Sequence, residues 1–96
     1  MFKIKTIKDR LQPVFSNYNI ASAILFGSYA KGSATEKSDI DLMVDSNLRG
    51  LRFFALIEDI REALDEKEVD VFDVTHIDKD SRVQKEIYET GVKIYG

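Results

Sequence analysis

The sequence predicts an α/β (α+β) domain in which a small mixed β-sheet is flanked by helices. One observation is helical periodicity, with apolar residues at spacings of three and four, over residues 3–17, 51–64 and 78–89. The other is a set of apolar or alternating segments typical of strands, over residues 20–26, 39–45, 68–74 and, more briefly, 92–95. Helices separate the later strands while a loop joins the first two, and this order predicts helices packed against one mixed sheet.

The first helix contains a proline that conflicts with its apolar pattern. Its apolar face consists of Ile4, Ile7, Leu11, Val14 and Phe15. Pro13 lacks the backbone N–H that a helix interior needs, so the sequence predicts a kink or an early end there. Asn17 and Asn19 then supply a turn before the first strand.

The remaining elements carry recognisable start and stop signals. A short helical turn is expected at Ser28–Lys31. The second long helix has an inner stripe formed by Phe53, Leu56, Ile57, Ile60 and Leu64. The last helix has Asp78 or Asp80 as its predicted N-cap and Gly91 as its stop.

Length and composition limit the classes of function. Ninety-six residues, 44% of them apolar, predict one domain that spans residues 1–96. No apolar run approaches the roughly 20 residues that cross a bilayer, and the N-terminus lacks the apolar core of a signal peptide, so a cytoplasmic location is expected. The absence of cysteine excludes a disulfide scaffold, a thiolate zinc site and a cysteine nucleophile. The net charge of −3 argues against a protein that binds nucleic acid by neutralising phosphates.

A glycine-bearing turn followed by two acids is the main chemical feature of the chain. An apolar strand ends at Gly27 and Ser28, and Asp39 and Asp41 open the next strand. Residues two apart on a strand face the same side, roughly 6–7 Å apart, so the two carboxylates can converge on a hard cation. Gly27 permits close approach of the backbone, and Ser28 offers a hydroxyl and an N–H to a phosphate. Each half of the pattern is common alone, but the combination indicates a site for a metal-bound nucleoside triphosphate.

The spacing of these residues resembles a known signature. Gly27 and Ser28 are followed by ten residues and then by Asp39-Ile40-Asp41, which is similar to the GS-x10-DxD signature of the DNA polymerase β-like nucleotidyltransferase superfamily. The fuller segments FGSYAKG and SDIDLMV resemble the smallest branch of that superfamily, the minimal nucleotidyltransferase (MNT) domains. The resemblance covers essentially the whole chain and implies the polymerase β-like fold.

This resemblance implies an activity and a set of site residues. Members of the superfamily transfer a nucleotidyl group from a Mg²⁺-bound nucleoside triphosphate to an acceptor hydroxyl and release pyrophosphate. On this chain Gly27 and Ser28 would contact the triphosphate, with Lys31 as a further nucleotide-binding residue. Asp39 and Asp41 would be catalytic metal ligands for two Mg²⁺ ions.

The third carboxylate of the family lies on a neighbouring strand, where Asp70 and Asp73 are the candidates. These residues are three positions apart, so on a regular strand their side chains point to opposite faces and only one of them can face the site. Asp70 occupies the position of the acid in the family's V-D-[LV] pattern and is the predicted residue, with Asp73 as the alternative. The implied role of Asp70 is to hold one metal ion and to help deprotonate the acceptor hydroxyl.

Several other polar residues have both a functional and a structural interpretation. Lys31 suits a phosphate contact and an ordinary surface position equally well. Tyr29 could border the nucleotide or pack locally, and Ser38 could cap the turn before the acids. Asp45 is expected at the exposed end of its strand, and a loop or structural role is favoured for His76.

In the resembled branch, MNT proteins are often antitoxins that transfer AMP from ATP to a tyrosine of a HEPN ribonuclease toxin. We therefore expect a protein adenylyltransferase with a HEPN-domain partner, since a chain of this length leaves no room for a large acceptor-binding domain. One alternative is a non-catalytic, nucleotide-binding antitoxin that neutralises its toxin by complex formation, with Leu51, Phe54 and Ala55 as apolar contact residues. Another is a transferase that acts on a small molecule or an RNA end.

Overall fold

The structure, a computed structural model, describes residues 1–96. Its elements in chain order are α1 (Ile4–Asn17), β1 (Ser22–Phe26), α2 (Ser28–Lys31), β2 (Ile40–Asp45), α3 (Leu51–Ala63), β3 (Val69–Asp73), a 3-10 turn (Val74–His76), α4 (Arg82–Thr90) and β4 (Val92–Tyr95). None of the four helices has the length and apolar content that crossing a bilayer would require.

The four strands form one mixed sheet in the order β3-β2-β1-β4. β1 runs antiparallel to both of its neighbours, β2 and β4. β2 and β3 run parallel, because α3 carries the chain back to the starting edge of the sheet between them. The predicted fold class, a small mixed sheet flanked by helices, is confirmed.

The two faces of the sheet have different roles. The core face is covered by α1 and α3, which contribute Ile7, Leu11, Phe15, Leu56, Ile60 and Leu64 to one buried cluster. In β2, Ile40, Leu42 and Val44 are fully buried on this face, while Asp41 and Met43 lie on the other face and are half-buried. The alternation of β2 therefore places its acidic side chain away from the core, on the face that α4 only partly covers.

Of the two outcomes predicted at Pro13, a kink or an early end, the early end does not occur, since α1 continues to Asn17. Pro13 is exposed, and so is Asp9, whose carbonyl would otherwise accept a hydrogen bond from the residue at position 13. Phe15, two residues later, is buried and packs on the ring of Tyr95 at a centroid distance of 5.4 Å. Burial of the Phe15 side chain contributes more to the free energy of folding than the missing helical hydrogen bond at Pro13 costs.

The start of α4 also differs from the prediction. Neither Asp78 nor Asp80 caps the helix, which begins only at Arg82. Ser81 is the N-cap, and its Oγ accepts a hydrogen bond from the N–H of Gln84 at 3.1 Å. Asp80 instead adopts a left-handed backbone with φ of 65°, which cannot continue into a helix.

Replacing Ser81 by alanine is expected to lower the free energy of unfolding by about 1 kcal/mol, because the Gln84 N–H would lose its partner. Asp78→Ala is the matched control, since Asp78 contributes only its backbone carbonyl to this turn. Urea unfolding of both variants measures the difference. An Asp78→Ala variant that loses as much stability as Ser81→Ala would contradict the assignment of the cap.

Candidate active site

The turn after β1 depends on a glycine for two reasons. Gly27 has φ of 76° and ψ of −152°, a region that only glycine adopts without strain. A Cβ at this position would also overlap Oδ2 of Asp41 on the neighbouring strand. α2 follows at once, with the Lys31 N–H donating to the Gly27 carbonyl at 3.1 Å. Gly27 therefore brings the backbone directly against an acidic side chain.

The sheet register brings the predicted acids together. Asp41 on β2 is paired with Phe26 on one side and with Asp70 on the other, so Asp41 and Asp70 lie side by side on the same face. Asp39 lies one residue before β2 and is exposed. The negative charge of Asp39 contributes to the raised pKa of both Asp41 and Asp70, which lie beside each other next to Gly27.

These acids are not neutralised by any basic side chain. Burial raises the pKa of Asp41 to about 6, with further contributions from the charges of Asp70, Glu86 and Asp39. Asp70 is exposed, but partial desolvation of its carboxylate raises its pKa as well, and the charges of Asp39 and Glu68 add to the effect. None of the salt bridges in the structure includes Asp39, Asp41 or Asp70. The excess negative charge favours binding of a cation.

The donor set fits Mg²⁺ together with a phosphate-bearing ligand. No group of three or more histidine, aspartate or glutamate side chains forms a ready-made metal cage in the protein. Mg²⁺ is usually held by one or two carboxylates, with waters and substrate phosphates as its other ligands, and it does not require an all-protein cage. The neighbouring carboxylates of Asp41 and Asp70, with Asp39 close by, supply oxygen donors of this kind.

Asp73 has different surroundings from Asp70. Its side chain is 2% exposed and accepts hydrogen bonds from the backbone N–H and the hydroxyl of both Ser46 and Thr75, at 2.5–3.1 Å. Burial alone would raise the pKa of Asp73, but these four hydrogen bonds outweigh it and lower the pKa. Asp73 thus joins the loop after β2 to the turn after β3, while Asp70 lies beside Asp41.

Asp73→Ala is expected to reduce the free energy of unfolding at pH 7 by about 2 kcal/mol, because buried N–H and hydroxyl groups would lose a charged partner. Since the pKa of Asp73 is lowered on folding, its stabilisation is complete above 3.8, the reference value, and is lost as pH falls through the folded-state pKa. Urea unfolding at pH 7 and pH 3 measures both effects. Asp70→Ala is the control, and an equal loss of stability in that variant would contradict this role for Asp73.

The other predicted residues are distributed around this centre. Ser28 is half-buried at the start of α2, and Lys31 is exposed at its end. Tyr29 belongs to the buried core cluster, which favours local packing for this residue. Ser38 accepts a hydrogen bond from the Thr35 N–H at 2.9 Å and so closes the turn before the acids.

His76 and Asp45 lie away from the acidic cluster. His76 is in the 3-10 turn and meets the ring of Phe53 edge-on at 6.2 Å. Asp45 is exposed at the end of β2.

Sequence reasoning missed two residues of α4 that reach the site. The charge of Glu86 contributes to the raised pKa of Asp41, and the hydroxyl of Thr90 accepts a hydrogen bond from the Gly27 N–H at 3.2 Å. Both are half-buried and lie four residues apart, so they share one side of the helix. The spacing was visible in the sequence, but nothing local indicates which strand that side of α4 contacts.

Fold and site together define a small α/β domain in which Asp41 and Asp70 lie side by side near the start of β2 and β3, beside the Gly27 turn. The family model described as "Polymerase beta, Nucleotidyltransferase" matches residues 9–96. The chain belongs to this nucleotidyltransferase family.

Curated relatives agree with this assignment. The protein is 37% identical over 70 residues to "Putative protein adenylyltransferase MJ0128" of Methanocaldococcus jannaschii, covering 67% of this chain and 71% of the relative. It is 49% identical over 41 residues to "Putative protein adenylyltransferase MJ1379" of the same organism, covering 43% of this chain. That second match spans only 34% of the relative's own length.

Solved structures share the fold. A chain in a crystal structure of a toxin–antitoxin with AMP-PNP superposes with a TM-score of 0.75 at 24% identity, covering 93% of this chain and 73% of that chain. A chain in a mutant of the toxin–antitoxin MntA-HpeT superposes with a TM-score of 0.72 at 26% identity, covering 93% of this chain and 72% of that chain. A chain in the complex of tri-AMPylated Shewanella oneidensis HEPN toxin with MNT antitoxin superposes with a TM-score of 0.70 at 21% identity, covering 97% of this chain and 72% of that chain. The predicted resemblance to MNT domains is confirmed.

Proposed function

We propose that this protein transfers AMP from Mg²⁺-bound ATP to a tyrosine hydroxyl of a HEPN-domain toxin and thereby acts as its antitoxin. The observation that carries the proposal is the carboxylate cluster beside Gly27, in which Asp41 and Asp70 are register partners without a basic neighbour. Relatives named as protein adenylyltransferases and structural neighbours from toxin–antitoxin complexes support the choice of acceptor class.

The site residues divide into two functional groups. Gly27, Ser28 and Lys31 bind the triphosphate, with the Ser28 N–H and hydroxyl as donors and Lys31 as a positive charge. Asp39, Asp41 and Asp70 hold Mg²⁺, which neutralises developing charge on the transferring phosphoryl group when it is bound. The raised pKa of Asp70 suits a carboxylate that also accepts the proton of the incoming hydroxyl.

The direct test is label transfer. The protein is incubated with α-labelled ATP, Mg²⁺ and a candidate HEPN-domain partner protein, and the label on each chain is counted. We expect label on the HEPN protein, with none after Asp39→Ala/Asp41→Ala. Asp45→Ala is the matched control on the same strand, because Asp45 lies at its exposed end. Equal labelling by the wild type and the double variant would contradict catalysis at this site.

A second candidate function, neutralisation by binding alone, is favoured by an exposed apolar surface. Leu51 is 86% exposed and Phe54 is 60% exposed at the start of α3, one helical turn apart. Such side chains suit contact with a partner protein. If the double aspartate variant still neutralises the toxin while Leu51→Asp/Phe54→Asp does not, complex formation is the operative mechanism.

A further inference from the structure

The C-terminal end of α4 is joined to the Gly27 turn by one side chain. The N–H of Gly27 donates to Thr90 Oγ1 at 3.2 Å, and the Thr90 hydroxyl donates to the carbonyl of Glu86 at 2.8 Å. A hydroxyl carries a single proton, so once that proton is given to Glu86, the oxygen is left to accept from Gly27. The Thr90 hydroxyl is therefore oriented by its own helix to receive the Gly27 N–H.

The next residue keeps Thr90 close to β1. A Cβ on Gly91 would overlap the carbonyl oxygen of Ile87 and would come within 2.9 Å of Cγ2 of Ile24. The end of α4 thus lies directly on β1, although no residue of this helix is fully buried.

We propose that Thr90 is a positioning residue for nucleotide binding. This inference rests on the proposed function. The Gly27 N–H belongs to the Phe26–Gly27 peptide, so its hydrogen bond to Thr90 fixes the peptide that precedes Gly27. The peptide that follows Gly27 is held by the hydrogen bond from the Lys31 N–H to the Gly27 carbonyl, and a glycine between them would otherwise rotate freely. With the peptides on both sides held, Gly27 keeps one pair of backbone angles and Ser28 presents its N–H and hydroxyl in one direction, which reduces the entropy lost when they bind a triphosphate. Thr90 acts through Gly27 and does not itself contact the nucleotide.

The test compares Thr90→Val, which keeps the branched shape without the hydroxyl, with Thr90→Ser, which keeps the hydroxyl. We expect Thr90→Val to raise KM for ATP and the Kd of Mg²⁺–ATP measured by titration calorimetry about tenfold, with kcat changed less than about threefold. Thr90→Ser should restore both constants to within about threefold of the wild type. Thr90→Ala serves as a second hydroxyl-free variant should the valine variant fail to fold.

Ser81→Ala is the matched control for helix stability. It removes the N-cap at the opposite end of α4 and leaves the Gly27–Thr90 contact in place. A helix-stability effect alone would raise the Kd for ATP equally in Ser81→Ala and Thr90→Val, and that result would overturn the proposal. Constants for Thr90→Val within about twofold of the wild type would also overturn it.

Amide hydrogen exchange at Gly27 tests the contact without any activity measurement. We expect exchange at least about tenfold faster in Thr90→Val than in the wild type, and restored protection in Thr90→Ser. Unchanged exchange would remove the basis of the proposal. If the wild type binds ATP but transfers no label, the proposed transfer reaction is refuted and the Kd comparison still tests the role of Thr90. If the wild type does not bind ATP, the transfer reaction and the role of Thr90 are both refuted.

Discussion

Asp41→Asn is expected to lower the rate of AMP transfer at least about a thousandfold, because a carboxylate that holds Mg²⁺ contributes several kcal/mol to the transition state. Asp41 is the central acid, since it is paired with Asp70 across β2 and β3 and contacts the Gly27 turn. The label-transfer assay measures the loss, and Asp45→Asn is the control for an acid-to-amide change on the same strand. Transfer by Asp41→Asn within tenfold of the wild type would contradict the assignment.

The same substitution is expected to stabilise the protein in the absence of metal. The pKa of Asp41 is raised from 3.8 to about 6 on folding, so ionisation of this side chain opposes folding at pH 7. Because the side chain is partly exposed, we discount the effect to about 1 kcal/mol. Between pH 3.8 and about 6 the folded wild type retains a proton that the unfolded chain has released, so its stability falls as pH rises through that range.

Urea unfolding from pH 4 to pH 8 in the presence of a chelator measures this difference. The wild type should lose stability over that range relative to Asp41→Asn, and saturating Mg²⁺–ATP should stabilise the wild type far more than the variant. A less stable Asp41→Asn variant at pH 7 without metal would show that burial of this charge and repulsion from the neighbouring acids do not oppose folding significantly.

The alternation of the second strand was predictable because it depends on local chemistry alone. Ile40, Leu42 and Val44 occupy alternate positions of β2, and this period specifies the buried face. The glycine turn and the short α2 were predictable for the same reason, since Ser28–Lys31 is helical as expected.

The pairing of Asp41 with Asp70 could not be predicted from local patterns. Alternation places the Asp70 side chain on one face of its strand, but its partner depends on the register between β2 and β3, which are separated in the chain by α3. The role of Asp73 as a buried acceptor for Ser46 and Thr75 likewise depends on contacts between separate loops.

The N-cap of α4 was missed for a different reason. Asp78, Asp80 and Ser81 are all residues that cap helices well, so propensity does not distinguish them. The left-handed backbone of Asp80 decides the outcome, because it forces the helix to begin after it. Local capping rules give the class of residue at a helix start, and the tertiary path of the preceding loop selects the position.

Gly27→Ala is expected to have the second large effect. The added Cβ would overlap Asp41 Oδ2. Alanine would also have to adopt backbone angles that only glycine tolerates without strain. We expect a loss of about 3 kcal/mol in the free energy of unfolding and a decrease of about a hundredfold in AMP transfer, because a displaced Asp41 no longer meets its partners in the required geometry. Unfolding in urea and the label-transfer assay provide the two readouts.

Gly50→Ala separates strain from the close approach to Asp41. Gly50 also precedes a helix, with φ of 56° and ψ of −128°, but a Cβ there would meet no atom within 4 Å. Its alanine variant should therefore lose about 1–2 kcal/mol from backbone strain while transferring AMP at the wild-type rate below its melting temperature. If both variants lose stability equally and both keep activity, contact between the Gly27 turn and Asp41 is not required for catalysis. If only Gly27→Ala loses activity, this glycine is needed because it lets the turn that begins α2 lie against Asp41.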